Sequence, residues 1–406
     1  MSEKIDEEGR AIYSGDHCIS CTSCMATCPV MEATQEYRGP KLVAPAHGRM
    51  HFAESDTERS LDFCSNCKTC DRSCPSGVAV STMNMLQRGA YYRTHKHSSR
   101  DDMIAHPERM ASLVSALPFG AAFANFGMAV GKKLGIFSHL GLAGEREMPK
   151  YAAKTFLQRF KNMHQPASDK KVVFFAGCSV NYNTPEIGEA FVKVMNKNGY
   201  EVLVDPAFNC CGSPLVVTGY LDEAREHADN NVARILSWKE QGVPVISCCT
   251  SCSLMLRAEY AELFGEKDME AAGENVYDSF EFLERLDAKG ELSTDFCEDR
   301  ESFMYHQPCH LKTAGIGTPV VSVLRHVPGM DIELADAGCC GISGNYGFRK
   351  ERYDISMKVG EKLFKRLTEK RLDGVISDCP TCRQQIEHGT HIHPMHPIEL
   401  LARAYQ

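Results

Sequence analysis

Two short stretches, VDPAFNCCGSPL at residues 204–215 and ADAGCCGISG at residues 335–344, each place two cysteines side by side. A disulfide between neighbours is a poor use for such a pair, because consecutive Cα atoms lie only about 3.8 Å apart. Disulfides usually need Cα atoms separated by about 4.4 to 6.8 Å. We therefore expect the paired thiols of both stretches to bind something other than each other.

The two cysteine pairs belong to one pattern that occurs twice in the chain. Each copy has a single cysteine, then about thirty residues, then CCG, then just under forty residues, then C-x2-C. Corresponding cysteines lie about 130 residues apart, which indicates an internal duplication. The first set is Cys178, Cys210, Cys211, Cys249 and Cys252, and the second set is Cys309, Cys339, Cys340, Cys379 and Cys382.

The residues around these cysteines predict the same fold for both copies. Predicted strands are KKVVFFAGC, YEVLVD and VPVISC in the first copy, and FMYHQPC, MDIELA and DGVISD in the second. Predicted helices are PEIGEAFVKVMNKNG and LDEAREHADNNVARILSWKEQG, matched by TPVVSVLRHVPG and YDISMKVGEKLFKRLTEKR. Each copy is therefore predicted as a β-α-β-α-β-α unit of an α/β protein, with a parallel sheet and its cysteines at the strand ends.

Five sulfurs per copy are one more than a tetrahedral zinc ion or an ordinary cubane cluster requires. One interpretation is an unusual iron-sulfur cluster, in which adjacent thiolates bind different irons and the following glycine lets the backbone approach closely. The alternatives are a zinc site that uses four of the five thiols and a redox-active dithiol at each C-x2-C. The spacing alone leaves the metal open.

The N-terminal part carries two further cysteine runs, CISCTSCMATCP at 18–29 and CSNCKTCDRSCP at 64–75. Both have the C-x2-C-x2-C-x3-C-P spacing of bacterial two-cluster ferredoxins, in which the fourth cysteine of each run binds the other cluster. This spacing predicts one 4Fe-4S site from Cys18, Cys21, Cys24 and Cys74, and another from Cys64, Cys67, Cys70 and Cys28. Zinc knots are the alternative, although they usually pair two C-x2-C motifs without a fourth cysteine before proline.

The composition limits the classes of function. The chain has 406 residues, 20 cysteines and a net charge of −8, so it lacks the basic excess of a nucleic-acid binder. The start MSEKIDEEGR is charged rather than apolar, which predicts no secretory signal and a cytoplasmic location. Reducing cytoplasm does not maintain ten disulfides, so metal ligation is the expected use of most thiols. Cys297 is expected to be a structural thiol, and Cys248 an alternative ligand or a packing residue.

The segment between the two halves contains an uncharged run at 110–131. Its proline, glycines and alanines argue against a membrane span, but its apolar residues recur at helical intervals. That stripe comprises Phe119, Phe123, Phe126, Val130, Leu134 and Phe137, next to Lys132 and Lys133. A helix of this kind suits either the membrane interface or a protein surface.

Two smaller motifs are expected to be structural. His388, His391, His393 and His396 are expected in a solvated loop rather than a metal site. The glycines of GISGNYG at 341–347 lack the strand and helix context of a dinucleotide site, so they are expected to shape the loop after the second CCG.

The order of two ferredoxin runs followed by two CCG units resembles the C-subunit family of anaerobic glycerol-3-phosphate dehydrogenases. The iron-sulfur subunits of glycolate oxidase and heterodisulfide reductase are more distantly similar. The resemblance covers nearly the whole chain and rests on these stretches: YRGPK, CSNCKTCDRSCPSGV, GCSVNYNTPEIG, CCGISGNYGFRKERY, SDCPTC and HPIELLA.

The resemblance implies a chain that passes electrons from a flavin-containing dehydrogenase to quinone, peripherally bound at the cytoplasmic face of the inner membrane. It further implies that each set of five cysteines holds a 4Fe-4S cluster of non-cubane type. The implied domains are a ferredoxin module at 1–95, a helical connector at 96–168, and CCG copies at 169–300 and 301–406. Three alternatives stay open: a heterodisulfide-reductase-like subunit that cleaves a disulfide at a CCG cluster, a glycolate-oxidase-like iron-sulfur subunit, and a zinc-stabilised interaction scaffold.

Overall fold

The computed structural model of the chain describes residues 17–50 and 59–405, and for residues 48–50 it describes the backbone alone. The prediction of no secretory signal rests on the charged stretch MSEKIDEEGR, which lies outside the described residues. The described part contains two parallel sheets, one in each CCG copy. The sequence prediction of a mixed α/β fold with parallel strands is confirmed.

The first sheet has four strands in the order β2-β1-β3-β4. They are β1 (Lys171–Phe174), β2 (Glu201–Leu203), β3 (Val245–Ser247) and β4 (Val276–Asp278). Val172 pairs with Val202 across β1 and β2, and Val173 pairs with Val245 across β1 and β3. Short runs of β-branched residues form these strands because both faces of a parallel sheet are covered by helices.

The second sheet has three strands in the order β6-β5-β7. They are β5 (Ser302–Tyr305), β6 (Asp331–Leu334) and β7 (Gly374–Ile376). At the position that corresponds to β4 of the first sheet, the second sheet has a single parallel bridge between Ile376 and Met395. The fourth strand was not predicted from sequence, because it is a short run without cysteines at its end.

The helices of the CCG copies cover both faces of the sheets. The first copy contains Gly177–Tyr182, Pro185–Lys197, Ser213–Thr218, Leu221–Glu240, Thr250–Leu254, Tyr260–Phe264, Lys267–Gly273 and Ser279–Ala288, with a π-helical turn at Met255–Glu259. The second contains Cys309–Ala314, Pro319–Leu324, Tyr353–Glu369, Pro380–Thr390 and Pro397–Ala404, with 3-10 turns at Tyr346–Phe348 and Lys350–Arg352. The four long predicted helices are all present.

The last helix of each copy packs against the other copy. Ser279–Ala288 of the first copy lies on Pro319–Leu324 of the second, and Pro397–Ala404 of the second lies on Pro185–Lys197 of the first. Both terminal helices begin with a capping box, at Asp278 and at His396. We call this packing of each terminal helix on the other copy the exchange of terminal helices. Because of it, the two copies share a single hydrophobic core, which includes Phe174, Phe191, Phe280, Leu283, Phe303, Val320, Ile398 and Leu401.

Polar contacts reinforce this exchange at the C-terminus. Asn198 donates to the Tyr405 hydroxyl oxygen at 3.1 Å, and that hydroxyl donates to the Ser293 carbonyl at 2.6 Å. The Cys297 amide donates to the Ala404 carbonyl at 2.9 Å. The end of the second copy is therefore fixed to residues of the first.

The N-terminal module is built from short helices around its cysteines. They are Ser23–Ala26, Pro29–Ala33, Pro40–Val43, Pro45–Met50, Thr69–Arg72 and Val80–Thr94, with a 3-10 turn at Arg59–Phe63. The connector adds Ser99–Ala105, Pro107–Ala116, Gly120–Lys133, Ile136–His139 and Phe156–Phe160.

The connector has one break just before the apolar helix that the spacing predicts and a second break within it. The chain breaks between Pro107–Ala116 and Gly120–Lys133, where Phe119 has a φ of 58°. It breaks again at Gly135, whose φ is +69°. The first break follows from Pro118, which disfavours helical backbone in the residue before it.

The apolar stripe nevertheless lies on one surface across these breaks. Phe119 is 80 % exposed, and Phe123 and Phe126 are each 70 % exposed. Leu134 is also exposed, whereas Phe137 is half-buried. None of the described helices has the length and apolar character that crossing a membrane demands.

Candidate iron-sulfur centres

Four cysteines line one cavity of the N-terminal module, which has an empty volume of about 330 Å³. Cys18, Cys21 and Cys24 come from the first run, and Cys74 reaches the same cavity from the second. This is the set that the ferredoxin spacing predicts for one cluster. Cys21 is exposed, and its hydrogen bond with Ser23 lowers the pKa of the Cys21 thiol.

A second cavity of about 300 Å³ contains the complementary set. Cys64, Cys67 and Cys70 line it together with Cys28, and all four are buried. The Asn84 amide donates to the Cys64 sulfur at 3.4 Å. The structure thus brings each predicted ferredoxin set to a cavity of its own.

The two runs have the same backbone shape. In the first run Ser20 and Thr22 have φ values of 60° and 66°, and in the second Asn66 and Lys68 have φ values of 53° and 57°. Non-glycine residues rarely adopt this left-handed conformation, which clusters at functional loops. The two turns bend each triplet of cysteines around a common centre.

The first CCG set converges at the carboxyl ends of the strands. Cys178 follows β1 at the start of the helix Gly177–Tyr182, and the Cys210–Cys211 pair follows β2. Cys249 precedes the helix Thr250–Leu254, which contains Cys252. Hydrogen bonding with Cys210, then with Cys252, lowers the pKa of the Cys211 thiol to about 6. The hydrogen bond with Cys211 raises the pKa of the Cys252 thiol, so without metal the pair shares one proton and one thiolate. The thiolate is the form that binds metal.

The second set repeats this arrangement around β5, β6 and β7. Cys309 begins the helix Cys309–Ala314, and Cys379 precedes the helix that contains Cys382. The Cys340 sulfur lies 3.2 Å from the Cys382 sulfur. Hydrogen bonding with Cys382 lowers the pKa of the Cys379 thiol to about 5, and hydrogen bonding with Cys309 lowers that of Cys339.

Gly341 explains why glycine follows the second cysteine pair. Its φ is +93°, and its amide donates to the Cys339 sulfur at 3.3 Å. A Cβ atom at this position would overlap the Ser356 carbonyl of the helix Tyr353–Glu369. The predicted role of this glycine loop in shaping the thiol site agrees with this close approach.

The sulfur sets are neighbours in the folded chain. Burial, and next the nearby Cys339, raises the pKa of the Cys67 thiol to about 11. Cys67 belongs to the second ferredoxin cavity, and Cys339 belongs to the second CCG copy. The two sites therefore face each other closely enough for their charges to interact.

His310 connects three of the sets. Its Nε2–H donates to the Asn66 carbonyl at 3.2 Å, and its Nδ1 lies 3.0 Å from the Ser251 hydroxyl. Asn66 lies between Cys64 and Cys67, Ser251 lies between Cys249 and Cys252, and His310 itself follows Cys309. The sequence reasoning missed this residue, since no spacing links it to the other two loops.

The sequence reasoning also missed His306, although a comparison of the two copies could have found it. It is the residue directly after β5, and its counterpart directly after β1 is Phe175. Its ring lies within reach of the Cys340 and Cys382 sulfurs. Burial lowers the pKa of His306 to about 4, so the ring is neutral at pH 7.

The remaining thiols and histidines have structural surroundings. Cys248 packs in the shared core, whereas its neighbour Cys249 belongs to the adjoining cluster of buried residues. Cys297 is half-buried. The prediction that His396 lies in a solvated loop is wrong. His396 is buried, donates to the Cys248 carbonyl at 2.9 Å and caps the last helix. His393 is exposed and pairs with Glu387.

Known families match the two kinds of site. Residues 14–78 match the family described as 4Fe-4S dicluster domain. Residues 172–257 and 303–387 match the family described as cysteine-rich domain. The C subunit of anaerobic glycerol-3-phosphate dehydrogenase from Escherichia coli strain K12 is 33% identical over 396 residues, covering 96% of this chain and 98% of the relative. The chain belongs to the C-subunit family of anaerobic glycerol-3-phosphate dehydrogenases.

More distant relatives include a subunit of a heterodisulfide reductase and a probable iron-sulfur subunit of a glycolate oxidase. The D subunit of dihydromethanophenazine:CoB--CoM heterodisulfide reductase from Methanosarcina acetivorans is 26% identical over 92% of this chain and 88% of the relative. A probable glycolate oxidase iron-sulfur subunit of Bacillus subtilis is 24% identical over 92% of this chain and 88% of the relative. This member of the C-subunit family is therefore an iron-sulfur electron-transfer protein that works with partner subunits.

Proposed function

We propose that this chain carries electrons from a flavin-containing dehydrogenase, which oxidises glycerol-3-phosphate, to quinone in the membrane. The chain itself performs no substrate chemistry in this scheme. It lies on the cytoplasmic face of the inner membrane without spanning it. The observation that supports the proposal best is the grouping of 18 cysteines into four neighbouring sets, two of four and two of five.

The donor sets fit iron-sulfur clusters. Cys18, Cys21, Cys24 and Cys74 would hold one 4Fe-4S cubane, and Cys64, Cys67, Cys70 and Cys28 would hold the other. Cys178, Cys210, Cys211, Cys249 and Cys252 would hold a CCG cluster, and Cys309, Cys339, Cys340, Cys379 and Cys382 a second one. Such clusters supply one-electron transfer, with potentials that the protein adjusts through charge, hydrogen bonds and burial.

The two ferredoxin sites differ in their exposure to solvent. The cavity around Cys21 opens to solvent beside Ile19, which is 68 % exposed. The four thiols of the second ferredoxin cavity are buried, and Cys67 among them lies near Cys339 of the second CCG copy. We therefore assign the docking of the flavoprotein to the surface around Cys21 and Ile19.

The connector links the first CCG set to the exposed apolar surface. Glu108, in the helix Pro107–Ala116, accepts a hydrogen bond from the Cys210 amide at 3.0 Å. The same helix packs on Gly177–Tyr182, which carries Cys178. Phe119, Phe123 and Phe126 follow directly on the next helix. We assign membrane contact to this apolar face, close to the first CCG set.

The two lysines beside this apolar face support membrane contact less than the sequence indicates. Lys132 forms an ion pair with Glu147 at 2.5 Å, whereas Lys133 is exposed. Membrane binding should thus depend mainly on burial of the aromatic rings. Full burial of one phenylalanine contributes about 1.5 to 3 kcal/mol.

Paired cysteine variants test the proposed crossing of the ferredoxin ligands. After anaerobic reconstitution, C24S/C74S should lose the iron and sulfide of one cubane, because both residues line the same cavity. C24S/C28S should lose those of two cubanes, because each cavity then lacks one thiolate. Iron and acid-labile sulfide analysis, together with EPR after reduction, measures both.

C297S is the control, since this thiol lies outside the four sets and should keep full iron content. The opposite order of losses for the two double variants would contradict the ligand assignment. A colourless wild-type protein that carries zinc and no inorganic sulfide would refute the electron-transfer proposal as a whole.

Liposome flotation tests the membrane surface. The triple variant F119S/F123S/F126S should reduce binding to vesicles of anionic lipid by at least about tenfold, because three exposed rings no longer enter the interface. L334S is the control, since Leu334 is an exposed apolar residue on β6 rather than on the connector. Equal flotation of the wild type and the triple variant would remove this surface from the proposal.

A further inference from the structure

His306 is a buried polar side chain that the fold leaves without a partner. It is 1 % exposed, and neither of its ring nitrogens has a hydrogen-bond partner among the described residues. Burying a polar group without a hydrogen-bond partner costs stability. A protein tolerates that cost where the group binds something else.

The backbone of His306 is fixed on both sides. Its amide donates to the Ile376 carbonyl at 2.9 Å, and its carbonyl accepts from the Ser377 hydroxyl at 2.9 Å. These bonds extend the pairing of β5 with β7 by one residue. The end of the sheet therefore holds the residue in place beside the second CCG site.

The ring of His306 is aimed at the second set of thiols. A ring nitrogen and the sulfurs of Cys340 and Cys382 all lie within 4.8 Å of one another. Donor atoms on one tetrahedral metal, with bonds of about 2.0 to 2.3 Å, lie about 3.3 to 3.8 Å apart. The three atoms are thus close to the spacing that a single iron requires.

The first copy has no equivalent donor. Its residue after β1 is Phe175, which is also 1 % exposed but carries no ligand atom. The two strands and the two sets of five cysteines otherwise correspond position by position. The duplicated sites thus differ by one nitrogen donor.

We infer that His306 is a sixth protein ligand of the second CCG cluster and binds iron through an imidazole nitrogen. The inference rests on the proposed presence of a cluster at that site. Imidazole is a common ligand of iron, and a neutral ring offers one lone pair for it. The first site would then be held by thiolates alone, and the second by thiolates and one nitrogen.

Pulsed EPR on the reconstituted full-length chain tests the inference. Two wild-type samples are compared, one of natural isotope content and one grown with 15N-histidine. The variant C339S identifies the signal of the second CCG site, because it removes one of the thiolates there. That signal should show a strong nitrogen coupling that changes with the 15N-histidine label, as expected for direct ligation.

Two matched variants exchange the residue at this position between the two copies. H306F gives the second site the residue that the first site has, and should abolish the histidine coupling. F175H gives the first site a ring at the corresponding position, and should add a second histidine-sensitive coupling. If H306F fails to fold, the isotope comparison of the wild type and the F175H spectrum still decide the question.

Failure of the inference differs from failure of the proposed function. A signal that disappears in C339S but shows no strong histidine coupling overturns ligation by His306 alone. If C339S changes neither the iron content nor any signal, no cluster occupies the second CCG site. That result would overturn both the inference and the proposed cluster on which it rests.

Discussion

Replacing Leu401 with Ala, five residues from the end of the second CCG copy, should destabilise the first copy by about 2 to 5 kcal/mol. Leu401 is fully buried in the core that both copies share. Its helix, Pro397–Ala404, packs on Pro185–Lys197 of the first copy. The smaller side chain leaves a cavity between two elements that are far apart in sequence.

Trp238 reports this effect directly. It is the one tryptophan of the chain, it lies in the helix Leu221–Glu240 of the first copy, and its indole N–H donates to Asp205 at 3.2 Å. Its fluorescence in a urea titration should give a lower midpoint for L401A than for the wild type. Leu363 lies in a core whose buried residues all belong to the second copy, so L363A is the matched control and should shift the Trp238 midpoint less.

The opposite pattern would contradict the shared core. If L401A lowers the far-UV transition while the Trp238 midpoint stays unchanged, the first copy does not depend on the last helix. Equal shifts in L401A and L363A would instead indicate that both copies unfold as one unit.

Replacing Lys68 with Met should destabilise the chain by about 3 to 5 kcal/mol, the usual cost of breaking a buried ion pair by removing one partner. Lys68 lies in the second ferredoxin run and is 2 % exposed. Its ammonium lies 3.2 Å from Glu259 and 2.7 Å from Glu262, both in the first CCG copy. Burial acts to lower the pKa of Lys68, but these carboxylates outweigh it and raise that pKa above its ordinary value.

The large effect follows from what the substitution leaves behind. Glu259 is 2 % exposed, and without Lys68 its charge would stay buried and lose its close cation. Urea denaturation measures the loss, and limited proteolysis between the modules shows whether the ferredoxin part separates from the CCG part. The double variant K68M/E259Q should recover part of the lost stability, since it removes the buried charge as well.

A surface ion pair is the comparison for this prediction. Lys362 and Glu32 also join the two modules, at 2.6 Å, but both side chains are exposed. K362M should therefore cost no more than about 1 kcal/mol. A similar loss in K362M and K68M would show that burial of the Lys68 site has little effect.

The sequence was informative wherever ligand spacing is local. The run from Cys18 to Cys28 is so short that its geometry follows from the spacing, and the crossing of Cys28 and Cys74 is a general property of that motif. The strands that lead to Cys178 and Cys309 were predictable because short runs of valine and aromatic residues lead to each cysteine.

The sequence was uninformative about partners in space. HPIELLA served only as a stretch that carries the family resemblance, and no pattern in it says that Leu401 packs on the first copy rather than on its own sheet. His396 looked like one of four polar histidines until the structure showed it buried as a helix cap. Gly135 did contain a signal for the break within the predicted apolar helix, and the regular spacing of the apolar residues around it concealed that signal.

The exchange of terminal helices has a consequence for how the chain is made. Residues 185–197 meet their permanent neighbour only after residues 397–404 have left the ribosome, so the first copy keeps an open apolar surface while the second copy is being made. Iron delivered before that moment would reach cysteines on an unfinished scaffold. Loading of both CCG sites is therefore expected to follow the docking of residues 397–404, whereas the N-terminal runs can assemble earlier.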